Sequence, residues 1–403
     1  MPAPAANAIL PWVREVVAGD SDVDAWNEAV CDAFGPFVRR KSILRTQREL
    51  LRTELINLAK ILPFPRYTTA LRDLARLYRR NLRKKANPSR SVLRESIQSV
   101  GGTSDRWLAL FFAREGRPAA SSVHDHAYQL FEALEAVLEG CVKPHLRVIH
   151  AFCSIQRCGQ SPANLTSLSF GNLGAGVEET LGRSGKLLLR DPEYGIPVHQ
   201  WRNVASHRAF EVVGGDRVRI VWGRNLQNSR EVEISGLTRV LHWAVLSFVT
   251  CNLAHLVVFL EHVAELGNLE GRVKSIRLES WMVRLSHNLS LVGFEVLDWL
   301  ISRGVFRCYL RNVLERSNRD ALIHASQILD QLATAADSDP ARRDDVLRVE
   351  VVLQDDRREL LASASIAVSD ALAATLGEIS MKEQIRLTDF SFVDAEGRDG
   401  AAS

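Results

Sequence analysis

The 403-residue sequence lacks the short motifs that identify many enzyme and metal-binding families. Its six cysteines, at positions 31, 141, 153, 158, 251 and 308, form no CxxC pair and have no regular spacing. This argues against a disulfide framework and a structural zinc site, and it predicts reduced thiols. The sequence also has no P-loop, GxGxxG or GxSxG motif. An energy-driven or hydride-transfer enzyme is therefore not supported.

Targeting and membrane signals are also scarce. The N-terminus, MPAPAANAILPWVREVV, has neither the charged start nor the long apolar run of a signal peptide. The one apolar run near membrane-spanning length, Trp243–Leu260, carries Asn252 and His255 in its middle. Because polar side chains are costly inside a bilayer, we expect a buried core helix there. These features predict a cytoplasmic protein that does not associate with a membrane.

Charge is small in total but unevenly distributed. The hydrophobic fraction of 46% and the charged fraction of 25% are ordinary for a soluble globular protein, and the length predicts two or three domains. The net charge is +3, yet the segment from Arg39 to Arg94 carries 17 Lys+Arg and 3 Asp+Glu. That segment has a charge of +14 and the remainder −11. The asymmetry indicates either a polyanion-binding end or a solvated basic face.

Residues 1–100 are predicted to be a basic helical region. Leu44, Leu51, Leu55 and Leu58 form one apolar stripe at helical spacing, and a second helix follows up to Asn87-Pro88. One side of this second helix is apolar. The other side and the end carry the candidate phosphate-contacting residues Arg72, Arg76, Arg79, Arg80, Arg83, Lys84 and Lys85. Contact with phosphates and simple solvation both remain open for this face.

Residues 121–265 are predicted to form a helical domain with a small inserted β element. Its first helix is expected to turn Glu132, Glu135 and Glu139 towards solvent. After the loop DPEYGIP, a short helix is expected to begin near Val198. The stretch FEVVGGDRVRIVW then predicts a β-hairpin, REVEIS a third strand, and residues 237–264 a long apolar helix.

The remaining chain divides into a predicted helical segment, 270–335, and an acidic region, 336–403. From residue 337 onward, 15 Asp+Glu stand against 8 Lys+Arg, and strand-like LRVEVVL and IRLTDFSFV flank an Ala-rich stretch. The predicted fold class is therefore mainly α, with a helical bundle, an inserted β-hairpin or three-strand element, an N-terminal basic helical region and a C-terminal mixed α/β region.

Three pairs of Arg and His are separated by four to six residues: Arg117/His124, Arg202/His207 and Arg319/His324. Chance alone gives about this number, so the spacing carries no information by itself. The first pair spans a predicted loop, and the third lies on an ordinary solvated helix face. The pair Arg202/His207 differs from the other two because it lies on a predicted short helix. A loop precedes this helix, and strands follow it.

That helix combines polar groups on one side. His199, Arg202, Asn203, Ser206 and His207 are spaced to form one polar stripe, whereas Val198, Trp201, Val204 and Ala205 supply an apolar side. An imidazole ring can take and return a proton near neutral pH, and a guanidinium group supplies paired donors to a phosphoryl oxygen. The candidate catalytic residues are therefore Arg202, Asn203 and His207, and their chemistry suits a phosphodiester.

The stretch WRNVASH, which follows several predicted helices and precedes a long final helix, resembles the Arg-polar-x-x-x-His motif of HEPN domains (higher eukaryotes and prokaryotes nucleotide-binding). The resemblance covers roughly residues 121–265. It implies a helical bundle that forms a homodimer, so that two copies of the motif face one cleft. It also implies RNA cleavage through the neighbouring 2′-hydroxyl, with neither metal nor cofactor. His207 would act as general base or acid, Arg202 would stabilise the phosphate, and Asn203 would be the accessory polar residue.

Active members of this family are often toxins or antiviral, phage-defence effectors controlled by a regulatory partner or antitoxin. Others are catalytically silent and serve in RNA or nucleotide binding or in dimerisation, so this alternative stays open. The chain departs from the family pattern in the strand-rich piece at 210–234, where Arg217 and Arg219 either clamp RNA or are simply solvated. His124 and His126 point to different sides of a helix, and Cys153, Cys158 and His150 lack a fourth ligand, so we predict no metal site.

Overall fold

The computed structural model describes residues 30–46, 51, 54–115, 120, 122–162, 164–266, 281–282, 285–286, 289, 293–314, 316–339, 342–375, 378–393 and 399–401. These residues belong to two compact units: the first contains those up to residue 266, and the second those from residue 281 onward. The first unit is mainly helical and the second is mixed α/β. The predicted mainly α class with a mixed C-terminal region is therefore confirmed.

The first unit is built from helices that surround one long central helix. In chain order they are α1 Lys41–Thr46, α2 Leu55–Ile61, α3 Pro65–Lys84, α4 Ala86–Glu115, α5 Val123–Ala136, α6 Lys143–Cys158, α7 Phe170–Leu181, α8 Arg183–Leu189, α9 Val198–Ser206 and α10 Ile234–His262.

The basic N-terminal helices are part of this unit, not a separate region. Helix α3 begins with Pro65, which fits the first helical position because its missing N–H would have no partner there. Its apolar side, which includes the buried residues Tyr67, Leu71, Leu74 and Tyr78, packs against α10. Because that apolar side needs α10 for burial, residues 1–100 do not stand apart from 121–265 as the sequence predicted.

The predicted boundary near residue 100 is also wrong. Helix α4 continues through Gly101 and Gly102 although glycine weakens a helix interior by about 1 kcal/mol per residue. Tertiary packing outweighs this cost, because α4 packs against both α3 and α6. Buried Thr103 on α4 lies 3.1 Å from Nε2 of His145 on α6, and this contact joins the two helices just beyond the glycines.

Between α5 and α6 the helix widens into a π-helical segment, Val137–Val142. Pro144 provides the reason, because it has no N–H and its ring would collide with the carbonyl of Gly140 four residues earlier. The backbone N–H of Lys143 instead donates to the carbonyl of Leu138, five residues back. The carbonyl of Gly140 accepts from Nη1 of Arg106 at 2.8 Å. The segment thus keeps α5 and α6 continuous while changing the direction of the side chains within it.

Between α9 and α10 lies an antiparallel sheet with strands β1 Phe210–Gly214, β2 Arg217–Trp222 and β3 Asn228–Glu233, in that order. Gly214 and Gly215 form the first turn with φ of 124° and 57°, a region that favours glycine. The predicted hairpin, third strand and long helix after them are confirmed.

The long helix α10 supplies much of the core. With the 3₁₀ turn Val263–Glu265 it is long and apolar enough to cross a membrane, but 83% of its most apolar stretch is buried inside the protein. That burial is typical of the core helix of a soluble protein, which agrees with the prediction for Trp243–Leu260.

The second unit is a six-stranded sheet with helices. Its elements are β4 Phe294–Ser302, β5 Val305–Asn312, α11 Asn318–Ser326, α12 Leu329–Ser338, β6 Arg348–Gln354, β7 Leu360–Ala367, α13 Val368–Thr375, α14 Met381–Leu387, β8 Asp389–Val393 and β9 Asp399–Ala401. The strand order follows the chain order; β5 and β6 are parallel and the other neighbours are antiparallel. Helices α11 and α12 provide the crossover that a parallel pair requires.

The hairpin formed by β4 and β5 corrects the prediction that 270–335 is a helical segment. By composition, the apolar run around VGFEVLDWLI fits either a helix or a strand. The tight turn that follows it makes this run the first strand of a hairpin. Arg303 and Gly304 have φ of 51° and 77°, the left-handed conformation of a two-residue hairpin turn. After the turn, Phe306, Cys308 and Leu310 alternate into the core of the second unit.

Candidate active site

The position of α9 depends on one buried carboxylate in the preceding loop. Asp191 is only 1% exposed. Its Oδ1 accepts from the backbone N–H groups of Glu193 at 3.0 Å and Tyr194 at 2.5 Å. Its Oδ2 accepts from the N–H of Ile196 at 2.7 Å and from Nε1 of Trp201 at 2.8 Å. Asp191 therefore fixes both the loop and the first turn of the helix.

Helix α9 begins at Val198, as predicted, and packs through its apolar side. Val198, Trp201, Val204 and Ala205 are all buried. Its polar residues, in contrast, do not remain together. They divide into one group that contacts α5 and the π segment, one that packs on α7, and one that lies in solvent beyond the end of the helix.

Arg202 belongs to the first group and is held by Glu139 of the π segment. Nε of Arg202 donates to Oε1 of Glu139 at 2.5 Å, while Nζ of Lys143 donates to Oε2 of the same carboxylate at 2.6 Å. Burial raises the pKa of Glu139, but the hydrogen bonds from Lys143 and Arg202 outweigh it and hold this pKa below its usual value. Glu139 is thus an ionised anchor that fixes the direction of the Arg202 side chain.

The side chain of Asn203 contacts Arg202. Its Oδ1 accepts from Nη1 of Arg202 at 3.4 Å, a long and weak hydrogen bond. Ser206, one turn later, donates to Oε1 of Glu135 at 2.6 Å. Glu135 and Glu139 therefore face α9 and hold it, whereas the sequence predicted that they would point to solvent.

His207 lies just after the helix, as its C-terminal cap. Its backbone N–H donates to the carbonyl of Asn203 at 3.0 Å, and its side chain is exposed. Within the described chain, the imidazole ring of His207 makes no hydrogen bond. The ring is consequently accessible to a ligand, close in sequence to Arg202 and Asn203.

His199, at the start of the same helix, points elsewhere. A Cβ on Gly171 of α7 would lie 3.7 Å from its ring, so the histidine packs over that glycine. Burial, together with the charge of Arg190, lowers the pKa of His199, while Glu178 opposes the change. His199 is therefore separated from the other polar residues of α9.

The seven predicted RNA-binding residues of α3 fall into two groups. Nε and Nη2 of Arg79 donate to the carboxylate of Glu261 at 2.6 and 2.7 Å, and Nη2 also donates to the carbonyl of Phe37. Glu261 is 3% exposed, so this ion pair belongs to the fold. Arg76 pairs with Asp73 at the surface. The remaining five are exposed and have no ion pair within the described chain: Arg72, Arg80, Arg83, Lys84 and Lys85.

The strand residues Arg217 and Arg219 are paired across the small sheet. Arg217 bonds to Glu231, and Arg219 bonds to Glu211 and Glu231. These exposed cross-strand ion pairs neutralise Arg217 and Arg219, the two residues for which the sequence left RNA contact and simple solvation open.

The described residues contain no group of three or more His, Cys, Asp and Glu side chains arranged to hold a metal ion. His150 instead lies 3.1 Å from the carbonyl of Leu173, and Cys153 is buried while Cys158 is exposed. Burial raises the pKa of Cys153 to about 11, which keeps this thiol protonated.

Sequence reasoning missed several residues around α9. Glu139 and Lys143 have the i, i+4 spacing of a helical ion pair, but no local signal connects them with Arg202, 63 residues away. Tyr128 of α5 and Arg208 also lie together, with the guanidinium carbon 4.3 Å from the ring centroid. Neither residue belongs to a recognisable motif.

Comparisons with protein-family models, curated proteins and solved structures find no significant match to this chain.

Proposed function

We propose that this protein is a cytoplasmic, metal-independent endoribonuclease of HEPN type. The observation that carries the proposal is the arrangement at the end of α9. Glu139 holds Arg202 at 2.5 Å, Asn203 contacts Arg202, and the ring of His207 remains exposed in the following turn. A fixed cation and an accessible imidazole, five residues apart in the sequence, are groups that phosphodiester transfer uses.

The proposed reaction needs no external nucleophile. The 2′-hydroxyl oxygen attacks the adjacent phosphorus, the bond from phosphorus to the 5′-oxygen breaks, and a 2′,3′-cyclic phosphate and a 5′-hydroxyl are formed. A base removes the 2′-hydroxyl proton and an acid protonates the departing oxygen; His207 performs one of these transfers. Arg202 stabilises the charge that develops on the phosphoryl oxygens, and Asn203 is the accessory polar residue beside it.

In this proposal residues 121–265 form the HEPN-like bundle, and a homodimer places two copies of α9 at one cleft. The second copy of His207 then supplies the other proton transfer. The exposed cations of α3 hold the RNA backbone. The structure supports such a bundle in one unit, because α5 and α6 pack against α10 and α9 packs against α5 and α7. A role as toxin or phage-defence effector, controlled by a regulatory partner or antitoxin, follows from the same proposal.

The alternative is a catalytically silent RNA- or nucleotide-binding module. One observation favours it: Nε of Arg202 is committed to Glu139, which also binds Lys143. In this case Arg202 serves the fold or a dimer interface, and His207 is a ligand contact.

Cleavage in EDTA tests the proposal. Purified wild type, His207→Ala and Arg202→Ala are incubated with single-stranded and transfer RNA, and the product ends are identified. We expect 2′,3′-cyclic phosphate ends from wild type and at least about a 100-fold lower rate from either variant. Arg217→Ala is the matched control, because it removes an exposed arginine that is already paired with Glu231.

Two results would contradict the proposal. If His207→Ala cleaves as fast as wild type, the activity does not reside at this site. If none of the proteins cleaves at concentrations where all of them bind RNA, the silent binding module is correct. Because His207 is exposed, we expect unchanged thermal unfolding in His207→Ala.

A further inference from the structure

Next to His207, an arginine and a tyrosine form a pair at the surface. Arg208 has φ of 53°, a left-handed conformation that costs free energy for a residue with a side chain. Its guanidinium carbon lies 4.3 Å from the centroid of the Tyr128 ring. Nη2 also donates to the tyrosine hydroxyl at 3.3 Å. The backbone after the catalytic histidine therefore brings a cation onto an aromatic ring of α5.

The charge of Arg208 is not neutralised. The neighbouring arginines of the small sheet, Arg217 and Arg219, each bond to a glutamate. Arg208 has no acidic partner within the described residues. Its charge therefore remains available to an anionic ligand.

The helix that carries the tyrosine also contributes to an aromatic cluster. His124, one turn earlier on α5, lies 6.5 Å from the ring of Phe210, and Phe210 stacks on buried Phe131 at 4.4 Å. Tyr128 itself keeps 42% of its surface exposed although one side is covered by Arg208. A flat ring from a ligand can stack there without any rearrangement of the core.

We propose that Tyr128 and Arg208 form a subsite that stacks an unpaired nucleobase next to the phosphodiester bound at Arg202 and His207. This inference rests on the proposed function and specifies its substrate as single-stranded RNA. Aromatic rings and arginine planes are the groups on which unpaired bases stack, and the interaction tolerates any base. The subsite consequently selects unpaired over base-paired RNA and has little preference for sequence.

Binding can be measured without cleavage by using the full chain with His207→Ala. The probe is a short unpaired RNA that contains 2-aminopurine, whose fluorescence is quenched when the base stacks. We expect quenching with the His207→Ala chain and with Tyr128→Phe added to it. Tyr128→Ala should lose the quenching and bind about 10-fold more weakly. Arg208→Ala should weaken binding as well, whereas the matched variant Arg217→Ala should not.

The outcomes separate this inference from the proposed function. If wild type cleaves RNA in EDTA but Tyr128→Ala and Arg208→Ala leave quenching and affinity unchanged, the subsite is wrong and the ribonuclease proposal stands. If wild type does not cleave but quenching depends on Tyr128, the stacking subsite stands and the chain is a binding module. If the probe does not bind at all, the subsite is wrong, and cleavage by wild type in EDTA still decides the ribonuclease proposal. Thermal unfolding of each variant shows whether its fold is intact.

Discussion

At the scale of single residues, Asp191 shows how strongly one side chain can determine the geometry of a site it does not enter. The sequence identifies DPEYGIP only as a loop. In the structure, this buried carboxylate accepts four hydrogen bonds, and one of them comes from Trp201 of α9. The orientation of Arg202, one residue later, follows from that attachment.

Asp191→Ala is expected to reduce the free energy of unfolding by about 3 kcal/mol, because it leaves four donors without their acceptor in a buried loop. Asp191→Asn keeps the shape and should cost less. Urea denaturation measures both. Glu193→Ala, which removes only a surface pair with Arg239, is the control and should cost less than about 1 kcal/mol. An Asp191→Ala variant as stable as this control would show that the loop does not depend on the carboxylate.

At the scale of elements, α3 divides its described basic residues between ion pairs and an exposed group without acidic partners. The sequence predicts its amphipathic pattern and its basic face, since both depend on local spacing. It does not reveal that Arg79 belongs to the fold, because its partner Glu261 lies 182 residues away. The 3₁₀ turn after α10 binds two further basic residues, because Arg40 and Arg90 both pair with Glu265. Three of the 17 basic residues between Arg39 and Arg94 therefore fasten the N-terminal helices to the end of α10 and the turn that follows it.

The exposed part of α3 is expected to determine the salt dependence of RNA binding. Replacing both Arg80 and Arg83 with Gln should reduce the slope of log K against log salt by about 1.4, or about 0.7 for each lost contact with single-stranded RNA. Fluorescence anisotropy with a labelled RNA at several salt concentrations measures this slope.

The matched control is Arg79→Gln, which removes the same charge from the same helix. It should leave the slope unchanged but destabilise the fold, since buried Glu261 loses its partner. Equal slopes for wild type and the Arg80/Arg83 variant would mean that α3 does not contact RNA phosphates.

At the scale of the whole helical core, two buried histidines make stability depend on pH. The rings of His145 and His255 lie 5.9 Å apart, and Nδ1 of each has no hydrogen-bond partner within the described chain. Burial lowers the pKa of His255 to about 4, and burial with the nearby His255 lowers the pKa of His145 as well. Both rings are therefore neutral in the folded protein at neutral pH.

Because the pKa of His255 is about 4 in the folded protein and about 6.5 in the unfolded chain, the unfolded chain binds more protons between these values. Stability should fall as the pH decreases from about 6.5 to about 4. His255 alone should contribute a loss of about 2 kcal/mol between pH 7.5 and pH 5. Urea denaturation at both pH values is the measurement, and His255→Leu should show a smaller decrease than wild type.

Exposed His124→Gln is the control and should retain the full pH dependence. If His255→Leu loses as much stability on acidification as wild type, the dependence originates from other groups.

Across the chain, the sequence predicts features marked by clear alternation and turn residues, whereas ambiguous apolar runs and distant contacts are predicted wrongly. The strands after α9 and the helix start at Val198 follow from alternation and turn residues. The hairpin at Arg303-Gly304 was assigned to a helix, because an apolar run without a strong turn signal suits both states. Glu135 and Glu139 were placed in solvent, because their contacts with α9 arise only when α5 and α9 pack together.

The π segment at Val137–Val142 also has a consequence for the spacing of residues along the chain. A π turn contains one residue more than the α-helical turn it replaces, so it behaves as a single-residue insertion within a helix. Because the wide turn absorbs this extra residue, α5 and α6 keep nearly the relative rotation of a continuous α-helix that is one residue shorter. Removal of one residue from α5 between Tyr128 and Glu135 has no wide turn to absorb it, and it would rotate Tyr128 by about 100° relative to Glu135. Tyr128 would then leave Arg208 although neither side chain had changed. The arrangement beside His207 is therefore set by the number of residues in a neighbouring helix as much as by their identity.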